Sequence, residues 1–267
     1  MKLQSFLCFA LMLAFAGFSS CKKTQITDNI NSTFDENIKI RMIENVDSVK
    51  RTLILNCATE KIFECSNYGI QTSFSVTSDK IIINFIQLQK PDICLTSLGP
   101  ALAVINLGEL ANKNYELELN FASEKITGQL QVTTASFTAT LTSQTKVQFL
   151  NPNLNRVPAN TIYGTVHYHA NSTNSIVQKF IDSLQYLGAK STSYLPGDYN
   201  QFQIESNGQI KQTQDLGYYF TRYFIYNYTS NSAQLKNLVR RFGVNYPDSL
   251  LITLHTTRGE TFYSWIP

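Results

Sequence analysis

Between residues 114 and 121 the chain alternates without exception. Tyr115, Leu117, Leu119 and Phe121 are apolar, while Asn114, Glu116, Glu118 and Asn120 are polar. Successive side chains of a strand point to opposite faces, so this run fits a strand with one face on a core and the other in water. Shorter runs of the same kind occupy residues 51–56, 70–76, 81–88, 101–107, 126–133, 137–141 and 147–150, divided by turn residues. With no helical period among them, short strands at this spacing predict an all-β sandwich over residues 37–150.

The pattern breaks at Asn151-Pro152-Asn153-Leu154-Asn155-Arg156-Val157-Pro158, which is turn-rich and aperiodic, so residues 151–160 are read as a linker. A strand is expected at 161–169. A helix follows at 175–187, where Val177, Phe180, Ile181, Leu184 and Leu187 share one face and Gly188 is placed to stop it. Strands at 201–205 and 218–228, a second helix at 232–242 stopped by Gly243, and a closing hairpin at 250–255 and 261–266 complete the chain. Strand, helix, strand, strand, helix, strand is the order of a ferredoxin-like split βαβ arrangement, with one strand added. The fold class expected is therefore two domains, an all-β sandwich followed by an α+β ferredoxin-like domain at 161–267.

The segment INLGELANKNYELELNFASEKITGQLQVT resembles the E–F–G portion of immunoglobulin-like and fibronectin type III-like modules, with Tyr115 as the corner tyrosine. That resemblance implies that the all-β domain is an immunoglobulin-like sandwich and transfers no activity. Sandwiches of this family usually carry function in loops at their ends, and Pro91, Gly99 and Pro100 mark one such loop.

The first 21 residues carry a different message. Lys2 precedes an unbroken apolar stretch from Phe6 to Phe18, and small residues then lead into Cys21, the plan of a secretory signal. A transmembrane helix needs about 20 apolar residues, so the stretch is too short to span a bilayer. Phe18-Ser19-Ser20-Cys21 resembles the lipobox of bacterial lipoproteins, although Phe18 departs from the usual Leu or Val. The resemblance implies cleavage after residue 20, a diacylglycerol on the Cys21 thiol and an envelope protein held on the membrane by that lipid. Lys22-Lys23-Thr24 lacks the acidic pair that resembles a surface-export signal in Bacteroidetes lipoproteins, so an outer-membrane lipoprotein facing the periplasm is expected. Residues 21–36 are polar and read as a flexible tether, able to extend about 40 Å.

Removing a 20-residue signal from the 267-residue chain leaves 247 residues, enough for two modest domains. A net charge of +3 lacks the strongly basic face that nucleic acid requires. Beyond Cys8 and Cys21 the cysteines are Cys57, Cys65 and Cys94. Export permits one disulfide, and nearness in sequence favours Cys57 with Cys65; three buried thiols are the alternative.

No constellation of catalytic residues is visible, and the carboxylates form no pair spaced for acid–base work, so no enzyme and no cofactor are expected. His167 and His169 share a strand face, but His255 should pair near Tyr163, about 13 Å from His167, so no metal site is assigned. The aromatic run at 218–228 offers rings on both faces of its strand, whereas two helices can cover only one. The open face, with Tyr163, Tyr219 and Tyr223, is the expected interaction surface. A non-catalytic binding or scaffold role with a protein or glycan partner follows, and action on envelope glycans is the alternative.

Overall fold

The computed structural model describes residues 32–47, 49–169, 173–212 and 220–265. Cys21, the signal and Tyr219 lie outside them. Strand makes up 49% of the structure and helix 13%, arranged as one curled sheet and a second, smaller one. In chain order the elements are β1 (Ile38–Val46), β2 (Arg51–Phe63), β3 (Gly69–Val76), β4 (Lys80–Gln89), β5 (Gly99–Gly108), β6 (Asn114–Asn120), β7 (Lys125–Val132), β8 (Ser136–Leu141), β9 (Val147–Phe149) and β10 (Asn153–Asn155). There follow β11 (Thr161–Tyr168), α1 (Asn174–Tyr186), β12 (Gly197–Asp198), β13 (Gln203–Ile204), β14 (Phe220–Asn227), α2 (Ser232–Asn245), β15 (Leu250–Thr256) and β16 (Thr261–Tyr263).

The large sheet runs β13-β12-β10-β8-β7-β6-β4-β3-β5-β2-β1-β9. Its alternation buries one face: Ile38, Ile40 and Met42 of β1, Leu53, Leu55 and Cys57 of β2, and Ile81, Ile83 and Phe85 of β4 all enter one core. Instead of two separate sheets, the strands form one curled hydrogen-bonded sheet, in which β4 pairs with β6 and β1 with β9 in parallel. Tyr115 is buried, and its hydroxyl accepts a hydrogen bond from Ala111 N at 3.0 Å, which ties the turn before β6 to the strand.

Register fixes the two ends of this sheet. Ile38 of β1 lies opposite Thr59, Phe63 of β2 opposite Gly99, Gly69 of β3 opposite Gln89, and Asn120 of β6 opposite Lys125. The start of β1, the ends of β2, β4 and β6, and the start of β5 therefore share one end. The β1–β2 turn, where Val46 faces Arg51, lies at the other.

Two segments depart from expectation here. The tether was expected to reach residue 36, but Phe34 is buried against Phe85 and Phe121, at ring separations of 5.9 and 6.2 Å. Its ring supplies apolar area that polar composition alone conceals. The segment expected as a linker contains β10, and Asn151 is buried, accepting from Met42 N at 2.8 Å and donating to Met42 O at 2.9 Å. The Asn151 side chain thus carries on along β1 the pairing that β9 makes with Ile38–Ile40.

The second sheet has the order β14-β11-β15-β16. Ile162, Val166, Phe224, Ile252 and Leu254 point to the helices, where Phe180 and Leu184 of α1 and Leu235 and Val239 of α2 complete the core. Gly188 ends α1 with a φ of +99°, as expected, because a left-handed residue costs glycine least. Gly243 does not end α2, which continues to Asn245. A Cβ at 243 would lie 1.9 Å from Ser264 O, so the glycine is there for close packing against the end of the chain.

The strand expected at 201–205 does not join this sheet. Gln203–Ile204 pairs with Gly197–Asp198, and Asp198 pairs with Leu154 of β10, so the hairpin extends the edge of the large sheet. The ferredoxin-like order consequently lacks its fourth strand at the β14 edge among the described residues.

Candidate functional site

The hairpin that leaves the second sheet passes over its open face. Tyr194, Tyr199, Phe202 and Ile204 form a third core with Val157 and Tyr163, on which Tyr223 and Ile225 pack. Phe202 lies 4.9 Å from Tyr199 and 5.2 Å from Tyr163, ring to ring. This corrects the expected interaction surface. Tyr163 is buried, and burial beside the Glu44 carboxylate pushes its phenol up to about 12 despite the opposing Arg51 charge. Tyr223 is half-buried, and its backbone N–H donates to Gln212 Oε1 at 2.9 Å. The sequence showed that the helices could cover only one face. It did not show that residues 194–212 would cover the other, because that depends on pairing with a distant strand.

Beside Tyr223 a cleft of about 280 Å³ remains between that hairpin and β1, lined by Arg41, Asp198, Gln201, Phe202, Lys211 and Tyr223 among others. Asp198 accepts from Asn200 N at 2.6 Å and faces Arg41 NH1 at 3.8 Å. Two cations, one carboxylate and two aromatic rings suit a ligand rich in hydroxyls. Asp198 is the single carboxylate among the cleft's lining residues.

The expected neighbour relation of the histidines holds: His255 lies opposite Tyr163 and His167 opposite Leu251, four positions apart. His255 stacks on Tyr163 at 5.2 Å, and burial lowers its pKa. His167 Nδ1 lies 2.8 Å from Thr221 Oγ1. His167 and His255 thus each have a partner within the sheet, and no group of three potential metal ligands occurs among the described residues.

The most distinctive surface lies at the other end of the molecule. Cys65 is bonded to Cys94, with Cα atoms 5.2 Å apart, and Cys57 is free and buried. The expected pair of Cys57 with Cys65 fails because β2 is extended from Arg51 to Phe63. At about 3.3 Å per residue, the six steps from Cys57 to the end of the strand at Phe63 already span about 20 Å, whereas a disulfide needs Cα atoms within about 7 Å. Burial pushes the Cys57 thiol up to about 12.

The disulfide clamps the loop at residues 90–98 to the turn after β2. Asn67 Nδ2 donates to Ile93 O at 2.8 Å, Leu95 N donates to Asn67 Oδ1 at 3.2 Å, and Ser97 Oγ donates to Ser66 Oγ at 2.7 Å. Held in this way, Ile93 is 79% exposed, Leu95 56% and Leu98 77%. Exposed Leu102 and Val104 on the outer face of β5, and Ile62 of β2 opposite Pro100, continue the apolar surface. Pro91, Gly99 and Pro100 had marked the loop in the sequence. Its rigidity was hidden, because it comes from a bond whose pairing the sequence does not fix.

Comparison with protein-family models, with curated proteins and with solved structures gave no match.

Proposed function

We propose that this chain is a non-catalytic, lipid-anchored protein of the bacterial cell envelope, a binding or scaffold component held on the outer membrane through Cys21 and facing the periplasm. The observation that carries the reading is the Cys65–Cys94 clamp on a loop of exposed Ile93, Leu95 and Leu98. Structural disulfides persist in oxidising compartments, in keeping with export. Large apolar side chains fixed in water serve contact, since each retains area whose burial would be favourable. In the same reading the large sheet is an immunoglobulin-like module, supported by the Ala111–Tyr115 hydrogen bond, and the second sheet is a ferredoxin-like module that has given up one strand.

The test is metabolic labelling with palmitate in a bacterial host. Wild-type chain should take up label and fractionate with membranes, and Cys21→Ala should do neither. Label on the Cys21→Ala variant would overturn the anchoring.

The cleft lined by Arg41, Asp198 and Tyr223 favours a second reading, an accessory or enzyme that acts on envelope glycans. Calorimetry with soluble peptidoglycan fragments distinguishes the two. Saturable heat lost in Asp198→Asn supports the glycan reading, and cleaved products would replace the non-catalytic one.

A further inference from the structure

We infer that the disulfide end of the large sheet docks on the lipid bilayer, with Ile93, Leu95 and Leu98 entering its headgroup region. The inference rests on anchoring through Cys21 and names the surface that the clamped loop meets.

What selects a bilayer is where the chain joins the fold. Ser32 Oγ donates to Phe85 O at 2.5 Å, and Thr33 N donates to Ile86 O at 2.8 Å. Both acceptors lie near the end of β4, which leads within a few residues into the clamped loop. Residues 22–31 alone separate Cys21 from this point, so even fully extended they hold it within about 40 Å of the lipid. Such a short connection keeps the loop at a high effective concentration over the membrane, and weak contacts then suffice to orient the body. A docking surface for another protein would have no reason to share an end with the anchor.

The composition of the surface agrees. Its protruding side chains are aliphatic and belong to a loop, with Leu102, Val104 and Ile62 behind them. Aliphatic groups that enter an interface by about 5–10 Å gain from burial without asking lipid for hydrogen bonds. The backbone beneath is already committed, since Ile93 O and Leu95 N both bond to Asn67. The β1–β2 turn, with Val49 90% exposed, lies at the opposite end and faces away from the bilayer in this arrangement.

The experiment uses full-length lipidated chain, with Trp265→Phe to clear the native indole, in phosphatidylethanolamine–phosphatidylglycerol vesicles with or without brominated acyl chains. Single tryptophans are placed by Ile93→Trp, Leu95→Trp, Leu98→Trp and, as a control, Val49→Trp, all at exposed sites where a larger ring meets no core. Mass spectrometry establishes lipid on Cys21, and absence of that lipid would sink the anchoring itself. With the lipid present, brominated chains should quench at least one loop tryptophan by about twofold or more and leave the Val49→Trp signal unchanged. Equal emission at all four sites overturns docking and leaves anchoring intact. A blue shift that grows with protein density and ignores bromine would also overturn it, showing that the loop meets a second copy of the chain.

Discussion

Replacing Glu44 by alanine would strand two arginines at the seam between the sheets. The carboxylate has 2% of its side chain exposed; Oε1 accepts from Arg156 Nε at 2.8 Å, and Oε2 accepts from Arg51 NH2 at 2.9 Å and from Val157 N at 3.1 Å. Arg51 NH2 also donates to Val157 O, and Arg156 NH1 to Thr133 O at 3.0 Å. One side chain at the end of β1 thus holds β2, the β7–β8 turn and the residues that lead into the second sheet. Removing one partner of a buried pair costs about 3–5 kcal/mol. Arg51 keeps 27% exposure and Arg156 keeps its bond to Thr133, so the lower end applies, about 3 kcal/mol. For a body of this size that lowers Tm by about 6–12 °C. Glu44→Gln keeps the shape and one acceptor and should lose about half as much. Urea unfolding followed by circular dichroism measures both, and the Glu44→Ala/Arg156→Ala cycle should return a coupling of about 1–3 kcal/mol. A Glu44→Ala variant within about 0.5 kcal/mol of wild type would refute the claim that this carboxylate joins the sheets.

Cys65→Ser/Cys94→Ser opens a loop of 29 residues, and closure entropy sets its loss near 3.5 kcal/mol in denaturant unfolding. Glu118 is held at about 2: burial would raise it, but hydrogen bonds from Lys80, Asn120 and Lys125 outweigh that. Because its folded pKa is depressed, its contribution to stability is present above about 4.5 and lost as pH falls toward 2, and Glu118→Gln should flatten that limb in unfolding followed against pH. The Cys57 thiol should react with a thiol reagent only as fast as the protein unfolds, so rapid labelling of native protein would contradict its burial. Gly243→Ala drives a methyl into Ser264 O and should cost about 1–3 kcal/mol by thermal unfolding, against well under 1 kcal/mol for the same change at an exposed helical glycine's site.

What the sequence made legible was local. Period-two burial placed β3 to β8 within a residue or two, the 3.6 stripe placed both helices, and Gly188 stood where the first of them stops. The opposition of His255 and Tyr163 followed from strand order. What stayed hidden was decided between distant segments. The hairpin of β12 and β13 reads as a strand wherever it goes, and only the free edge at β10 draws it to the large sheet. Phe34 sits alone in a polar stretch, so nothing nearby signals that a cavity beside Phe85 and Phe121 awaits it. The cysteine pairing depended on β2 running straight past Cys57, which a short apolar run did not foretell. Gly243 looked like a helix stop because the reason for it, Ser264, lies 21 positions away.

The hairpin of residues 197–204 belongs to one sheet by its hydrogen bonds and to the other by its rings. Neither half is therefore a free-standing building block. A gene cut at residue 150 would yield a first fragment with the edge of β8 bare and a second with the edge of β10 bare and Arg156 parted from Glu44, and both edges invite aggregation. Recombination that exchanged either half for an unrelated one would meet the same penalty, so the two sheets are constrained to be inherited, and to diverge, together.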